Sequence, residues 1–240
     1  MLIFLHGGTP GATPYCSGSH IWGNSLELFD EEALAFQFKG NDLEKQIEEL
    51  QAFAKGRKPH LVGHDVGGLV ALTLAARNPE LVRAVTAVSS VAAAPGGDGL
   101  ENFTHAYPPT PMWSRASQAW ALEQVSYSRH HIDDKLLDAC VAAAKTQLQS
   151  NEKFNIDVAQ TKSKLFETCR GEGIRVPVQV IWGSHDPLGS LDLGLWLFRM
   201  LAQRQKAAQF HIIQRTGALP FREEPEAFHQ IVAAFYEGIS

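Results

Sequence analysis

The sequence predicts an α/β protein with a mostly parallel, doubly wound sheet, and three observations carry that prediction. Short apolar runs alternate with longer stretches of helical spacing. The runs are continuous in Val, Ile and Leu rather than alternating with polar residues, as strands covered on both faces require. Right-handed crossovers between parallel strands then leave an open doubly wound sheet as the natural arrangement. A length of 240 residues, 45% of them hydrophobic and 20% charged, suits one or two compact domains with a substantial core.

The first strand is Leu2-Ile3-Phe4-Leu5, ending at Gly7-Gly8, and Leu34-Ala35-Phe36-Gln37-Phe38 is a weaker second. Asp42 has the chemistry of an N-cap for a helix through Ala54, whose Leu43, Ile47, Leu50 and Phe53 form one stripe. Gly56 and Pro59 break it before a third strand at His60-Leu61-Val62. A small-residue helix follows over Val66–Ala76, then an apolar strand over Leu81–Val91. Val176–Trp182 and Gln209–Ile213 are the fifth and sixth strands. A closing helix over Pro225–Tyr236 places Phe228, Ile231, Val232 and Phe235 at helical spacing. Between residues 95 and 175 the pattern changes. Helical stretches at Ser114–Glu123, Asp133–Leu148 and Ala159–Cys169 fill a segment without strong strand candidates. The expected division is a core of residues 1–94 and 176–240 with a helical lid insertion at 95–175.

Charge and composition exclude several classes of function. With 21 basic and 26 acidic residues, net −5, the chain has no electrostatic footprint for nucleic acid or an anionic membrane. No apolar run approaches the roughly 20 residues of a membrane span, and the start lacks a basic n-region, so a cytoplasmic location is expected. Cys16, Cys140 and Cys169 are scattered, without a CxxC pair, which speaks against a disulfide scaffold or a zinc site. His130-His131 lacks further ligands at suitable spacing. Asn102-Phe103-Thr104 fits a glycosylation sequon of no expected consequence in a cytosolic chain.

The strongest chemical signal is Leu61-Val62-Gly63-His64-Asp65-Val66-Gly67-Gly68. A strand runs through a sharp Gly-x-Asp-x-Gly turn straight into a helix, which lifts the central side chain above the helix N-terminus, where an anion is favoured. This segment resembles the nucleophile elbow of the α/β-hydrolase fold superfamily, in the Asp-nucleophile version of epoxide hydrolases and haloalkane dehalogenases. Three more segments resemble that family in its chain order. His6-Gly7-Gly8 is similar to the oxyanion-hole loop, Trp182-Gly183-Ser184-His185-Asp186-Pro187 to the segment of the triad acid, and Thr216–Pro225 to the segment of the catalytic histidine. The resemblance implies Asp65 as nucleophile, Asp186 as acid, and the N–H groups of Gly7, Gly8 and Val66 around a developing oxyanion. Asp98 is a second candidate acid. In the family the residue after Gly217 is His; here it is Ala218.

That substitution matters for the chemistry. Asp as nucleophile suits attack at an sp³ carbon, and His then activates the water that cleaves the resulting ester. Ala218 would leave the ester standing. It reads as a His→Ala change that traps a complex, with a natural binding protein on the same scaffold as the alternative. His185, His211 and His229 do not replace the lost base, and His6 and His64 are read as structural. Val66 stands where dehalogenases carry Trp. Epoxide hydrolases need phenols from the lid, for which Tyr107 and Tyr127 are the candidates. The segments Gly8–Ala12 and Ser17–Trp22 resemble early parts of carbon–carbon bond hydrolases of aromatic catabolism, which use Ser at the elbow. An esterase or such a hydrolase is therefore the alternative enzyme, and a pseudo-hydrolase the alternative outside catalysis. The insertion is rich in aromatics, with Phe103, Tyr107, Trp113, Trp120, Tyr127 and Phe154, so a small hydrophobic substrate is expected. No cofactor and no metal are expected, no nucleic acid or membrane partner, and a homodimer is left open.

Overall fold

A computed structural model of the chain describes residues 1–8, 15–29, 33–40, 42–96, 104–105, 107–147, 152–205 and 207–239. Asp98, Asn102 and Phe103, and residues 9–12 of the early segment, lie outside them. The described residues form a six-stranded sheet in the order β2-β1-β3-β4-β5-β6, from β1 (Leu2–Leu5), β2 (Ala33–Phe36), β3 (His60–His64), β4 (Ala84–Val88), β5 (Val178–Gly183) and β6 (Ala208–Ile213). Every pairing is parallel. Each strand of the sheet's middle is buried on both faces. In β1, Ile3 and Leu5 enter one apolar cluster while Leu2 and Phe4 enter the other. That is why the strands read as continuous apolar runs.

Helices α1 (Leu43–Ala54), α2 (Val66–Arg77) and α6 (Leu191–Ala202) cover the first face. Asp42 caps α1 as its chemistry predicts, accepting the Lys45 N–H at 3.1 Å. The second face is covered by α8 (Pro225–Gly238), the short α7 (Pro220–Glu223) and a 3₁₀ segment, Ser19–Leu28, kinked at Gly23. Of the inserted helices, α3 (Arg115–Val125) and α4 (Asp134–Gln147) contribute Leu122, Val125, Leu136 and Cys140 to this second cluster. By contrast α5 (Glu152–Arg170) sends Phe154, Leu165 and Cys169 into the first, beside α2 and α6. All three cysteines are free and buried. No helix among the described residues is long and apolar enough to cross a membrane.

Several boundaries differ from the sequence reading. β4 is shorter, because Pro79–Leu81 winds into a 3₁₀ turn before it and Ser89 takes φ +40° after it, which ends the ladder. β5 starts at Val178 since Pro177 has no N–H to contribute, only a carbonyl, which accepts from Val85. Helix α6 was not expected. Leu191, Leu193, Leu195 and Leu197 recur with the period of a strand, yet two neighbouring parallel strands need a crossover between them, and that topology makes the segment helical. Gly194 lets α6 lie flat on the wholly buried Trp182 ring, whose Nε1 donates to the Gly189 carbonyl at 2.8 Å.

A polar ladder crosses the sheet near its amino end. His60 Nε2 lies 2.8 Å from Thr86 Oγ1, Thr86 Oγ1 donates to Gln179 Oε1 at 3.0 Å, and Gln179 Nε2 donates to the Ile231 carbonyl in α8 at 3.2 Å. Three adjacent strands and a helix are thereby held in one register, since a slip would orphan buried polar atoms.

Gly194→Ala separates packing from helix propensity. A Cβ there would meet three Trp182 ring carbons at 2.7, 2.9 and 3.0 Å. Propensity alone favours Ala by about 1 kcal/mol, whereas overpacking costs roughly 1–3 kcal/mol. Urea denaturation should therefore show a net loss of about 1 kcal/mol; a gain would mean that the ring is free to move.

Candidate active site

The turn between β3 and α2 is built by contacts that exclude side chains. Asp65 takes φ 44°, ψ −112°, a left-handed conformation that a non-glycine residue holds only when its surroundings enforce it. A Cβ on Gly63 would lie 2.4 Å from the Gly67 carbonyl oxygen, one on Gly67 2.5 Å from that of Leu5, and one on Gly68 2.6 Å from Ser90 Oγ. The flanking glycines are thus what lets strand, turn and helix approach. Gly7 belongs to the same packing: its Cβ would meet His64 Nδ1 at 2.4 Å and the Asp65 Cβ at 2.9 Å. Gly8 follows with φ +61°. The structure brings Gly7, Asp65 and Val66 together, as expected.

The Asp65 carboxylate accepts the Ala92 N–H at 3.0 Å, and Ser90 Oγ donates to the Asp65 backbone carbonyl at 2.6 Å. Burial raises the Asp65 carboxyl to about 6, held from rising further by the N–H groups of Ala92 and Val66 and by the Lys162 charge. Val66 N–H therefore points at Asp65 itself. Past the end of β5, Asp186 is 8% exposed. Its Oδ1 accepts the N–H groups of Leu188 and Gly189 at 2.9 and 3.3 Å, while Oδ2 has no partner among the described residues. Burial raises this carboxyl to about 7 against the pull of Leu188 N–H, the Ser89 hydroxyl and Gly189 N–H, and the Asp65 charge raises it further. Burial is thus the main cause of both shifts, and the charge of Asp65 adds a smaller push to Asp186.

Ala218 is buried. Its N–H donates to the Val125 carbonyl at 2.8 Å and its carbonyl accepts from His64 Nε2 at 2.9 Å. The loop around it is tightly held. His185 N–H donates to the Thr216 carbonyl at 2.8 Å, and a Cβ on Gly183 would fall 1.9 Å from the Gly217 carbonyl oxygen. Glu223, itself 2% exposed, accepts Gly217 N–H with Oε1 at 2.7 Å and Ser128 N–H with Oε2 at 3.0 Å. The acid loop and the loop of residue 218 are packed against each other.

His64 and His6 bear out their structural reading. His64 bridges to residue 218, and His6 Nε2 accepts the Phe38 N–H at 3.4 Å; burial lowers both to about 4, so both are neutral. His185 bonds Ser184 Oγ at 2.7 Å and faces solvent. The lid phenols fare differently. Tyr107 is 87% exposed and Tyr127 50%, its ring 4.6 Å from that of His185. The phenol in the field of both carboxylates is Tyr15, which the sequence reading passed over. It is wholly buried, and burial first, then the charges of Asp65 and Asp186, push its pKa well above the ordinary phenol value, so it stays a neutral hydroxyl. The available signal was position: Tyr15 directly precedes the Ser17–Trp22 segment that follows the oxyanion loop.

The Alpha/beta hydrolase family model matches residues 2–231. A 2-hydroxy-6-oxononadienedioate/2-hydroxy-6-oxononatrienedioate hydrolase of Cupriavidus pinatubonensis (strain JMP 134 / LMG 1197) is 23% identical over 262 residues, 98% of this chain and 86% of that protein. Among solved structures, a meta-cleavage product hydrolase from Pseudomonas fluorescens IP01 complexed with acetates is 18% identical at TM-score 0.71, covering 100% of this chain and 91% of that one. A lipase from Acinetobacter baumannii AYE is 19% identical at TM-score 0.73, covering 99% and 83%. Neighbours of such different activity share the fold.

The raised pKa of Asp186 fixes a pH dependence. Its carboxyl goes from an ordinary 3.8 to about 7 on folding, so the native state holds a proton that the unfolded chain has lost, and stability declines as pH rises across that window. Asp186→Asn removes the titration. Its stability relative to the parent should improve by about 4 kcal/mol between roughly pH 4 and pH 8, read by urea denaturation at each pH. A difference constant with pH would show that Asp186 ionises normally.

Proposed function

Because the chain belongs to the alpha/beta hydrolase family, we propose that it hydrolyses a carbon–carbon bond beside the carbonyl of a small apolar ketone, with the Asp65–Asp186 carboxyl pair moving the protons. The observation that carries this reading is the pair itself: two carboxyls raised to about 6 and about 7, with Ala218 in place of an imidazole. With both carboxyls raised toward neutrality by burial, a carboxylate and a carboxylic acid are available together near neutral pH, as a general base and a general acid require. Hydrolysis of such a bond needs both. The ionised Asp65 takes a proton from water as its oxygen adds to the carbonyl. The carbon–carbon bond then breaks toward the departing carbon, which receives the proton of Asp186. Transfer of the proton from Asp65 to Asp186 restores the pair. Tyr15 supplies a neutral hydroxyl for the carbonyl oxygen. The name of the Cupriavidus relative, which contains an oxo group, supports a ketone as substrate, and the aromatic residues of the insertion support a small hydrophobic one.

A displacement reading rests on the carboxylate at the elbow alone. Asp65 would attack an sp³ carbon of an epoxide or haloalkane, and without a histidine the ester would persist.

The test uses an aryl β-diketone, whose enol absorbance disappears on cleavage. Turnover should follow a bell-shaped pH profile with limbs near pH 6 and pH 7. Asp65→Asn and Asp186→Asn should each lower kcat by about 10²–10⁴-fold. Intact-protein mass spectrometry after incubation with epoxides and haloalkanes should show no adduct. A stable ester on the Asp65 peptide would replace this reading by displacement, and saturable binding without turnover would make the chain a binding protein.

A further inference from the structure

A cavity of about 580 Å³ opens between the 3₁₀ segment, the start of α4 and the junction of α7 with α8. None of Asp65, Asp186 and Ala218 lines it. We propose that it is a second binding site, for a small organic monocarboxylate seated on Arg222. Arg222 lines the cavity with its side chain only 9% exposed, and a cation so far out of water calls for an anion in hydrogen-bond contact. It has none. The guanidinium donates to two neutral carbonyls, Nη1 to Ile21 and Nη2 to His131, each at 3.0 Å. The Asp133 carboxylate stands 3.8 Å from Nη2, beyond hydrogen-bond reach, and is 59% exposed. Nε is buried and has no partner among the described residues.

The chain makes room for this side chain. Gly23 bends the 3₁₀ segment at φ +50°, and a Cβ there would lie 2.4 Å from Nη1. Lys135 adds a second cation to the lining, while His131, also in the lining, is kept neutral by burial and by the Arg222 charge. A carboxylate is the complement of a guanidinium with donors to spare. On the other side of the balance, Glu27, Glu226 and Asp133 line the same cavity. They repel a second carboxylate and accept hydrogen bonds from a hydroxyl. The volume lies within the range of small-molecule sites. The ligand is therefore a hydroxylated monocarboxylate, and the assignment is independent of the reaction at Asp65.

Calorimetric titration of the full chain at low salt with 3-hydroxybutanoate tests it, with butane-1,3-diol as the uncharged counterpart and inorganic phosphate as the other oxyanion. Saturable binding of 3-hydroxybutanoate alone is expected. Arg222→Met should weaken it at least about tenfold, the effect of deleting a charged hydrogen-bond partner. Because Arg222 also ties two loops, Asp133→Asn is the companion variant: removing the exposed competing carboxylate should tighten binding several-fold. Asp65→Asn should leave the affinity unchanged. Equal binding of the diol, preference for phosphate, no heat with any probe, no gain in Asp133→Asn, or loss in Asp65→Asn would each overturn the assignment.

Discussion

The close approach of three backbone segments around Asp65 is the constraint on which the site depends. β3 must end, α2 must begin and the loop after β1 must pass over the turn within a space that admits no Cβ at Gly7, Gly63 or Gly67. The left-handed backbone at Asp65 is the local strain of that arrangement, and burial of α2 and β3 against the sheet is large enough to hold it. One result is that the Asp65 carboxylate, the Ala92 N–H and the helix start at Val66 converge without any side chain being aimed there by flexible loops.

Position 218 changes the electrostatics of that frame more than its shape. The loop is held by the Gly183–Gly217 approach and the bond from His64 to the residue 218 carbonyl. Ala218 brings no imidazole, and so no cation, to it. Asp186 is left with one oxygen unpartnered in a buried site, and with Asp65 as its nearest charged influence. A carboxyl in that position gives up its proton near neutrality rather than in acid. With Ala218 beside the loops of the site, the groups there that burial raises toward neutrality are carboxyls and no imidazole.

Much of the fold was legible because its strands are simple. A strand buried on both faces reads as an unbroken apolar run, and the capping Asp42 and the glycines of the elbow declare themselves by chemistry. Where two periodicities compete the sequence is ambiguous. The alternate leucines of α6 look like a strand until the crossover geometry is imposed, and the 3₁₀ segment carries no periodic signature at all. At the site, Asp65, Asp186 and Ala218 were readable because they sit in ordered local motifs. Tyr15 was not, since its role comes from proximity in space to residues 50 and more positions away. Tyr107 and Tyr127 misled for the converse reason: a phenol in an insertion says nothing of which way it faces.

The bond from Ala218 N–H to the last turn of α3, together with the Glu223 carboxylate shared between Gly217 and Ser128, has a kinetic consequence. The inserted helices α3 and α4 cannot swing from the sheet as a free flap. Any outward motion of α3 pulls on the backbone of the loop that carries residue 218, so the insertion and residues 216–218 move together or not at all.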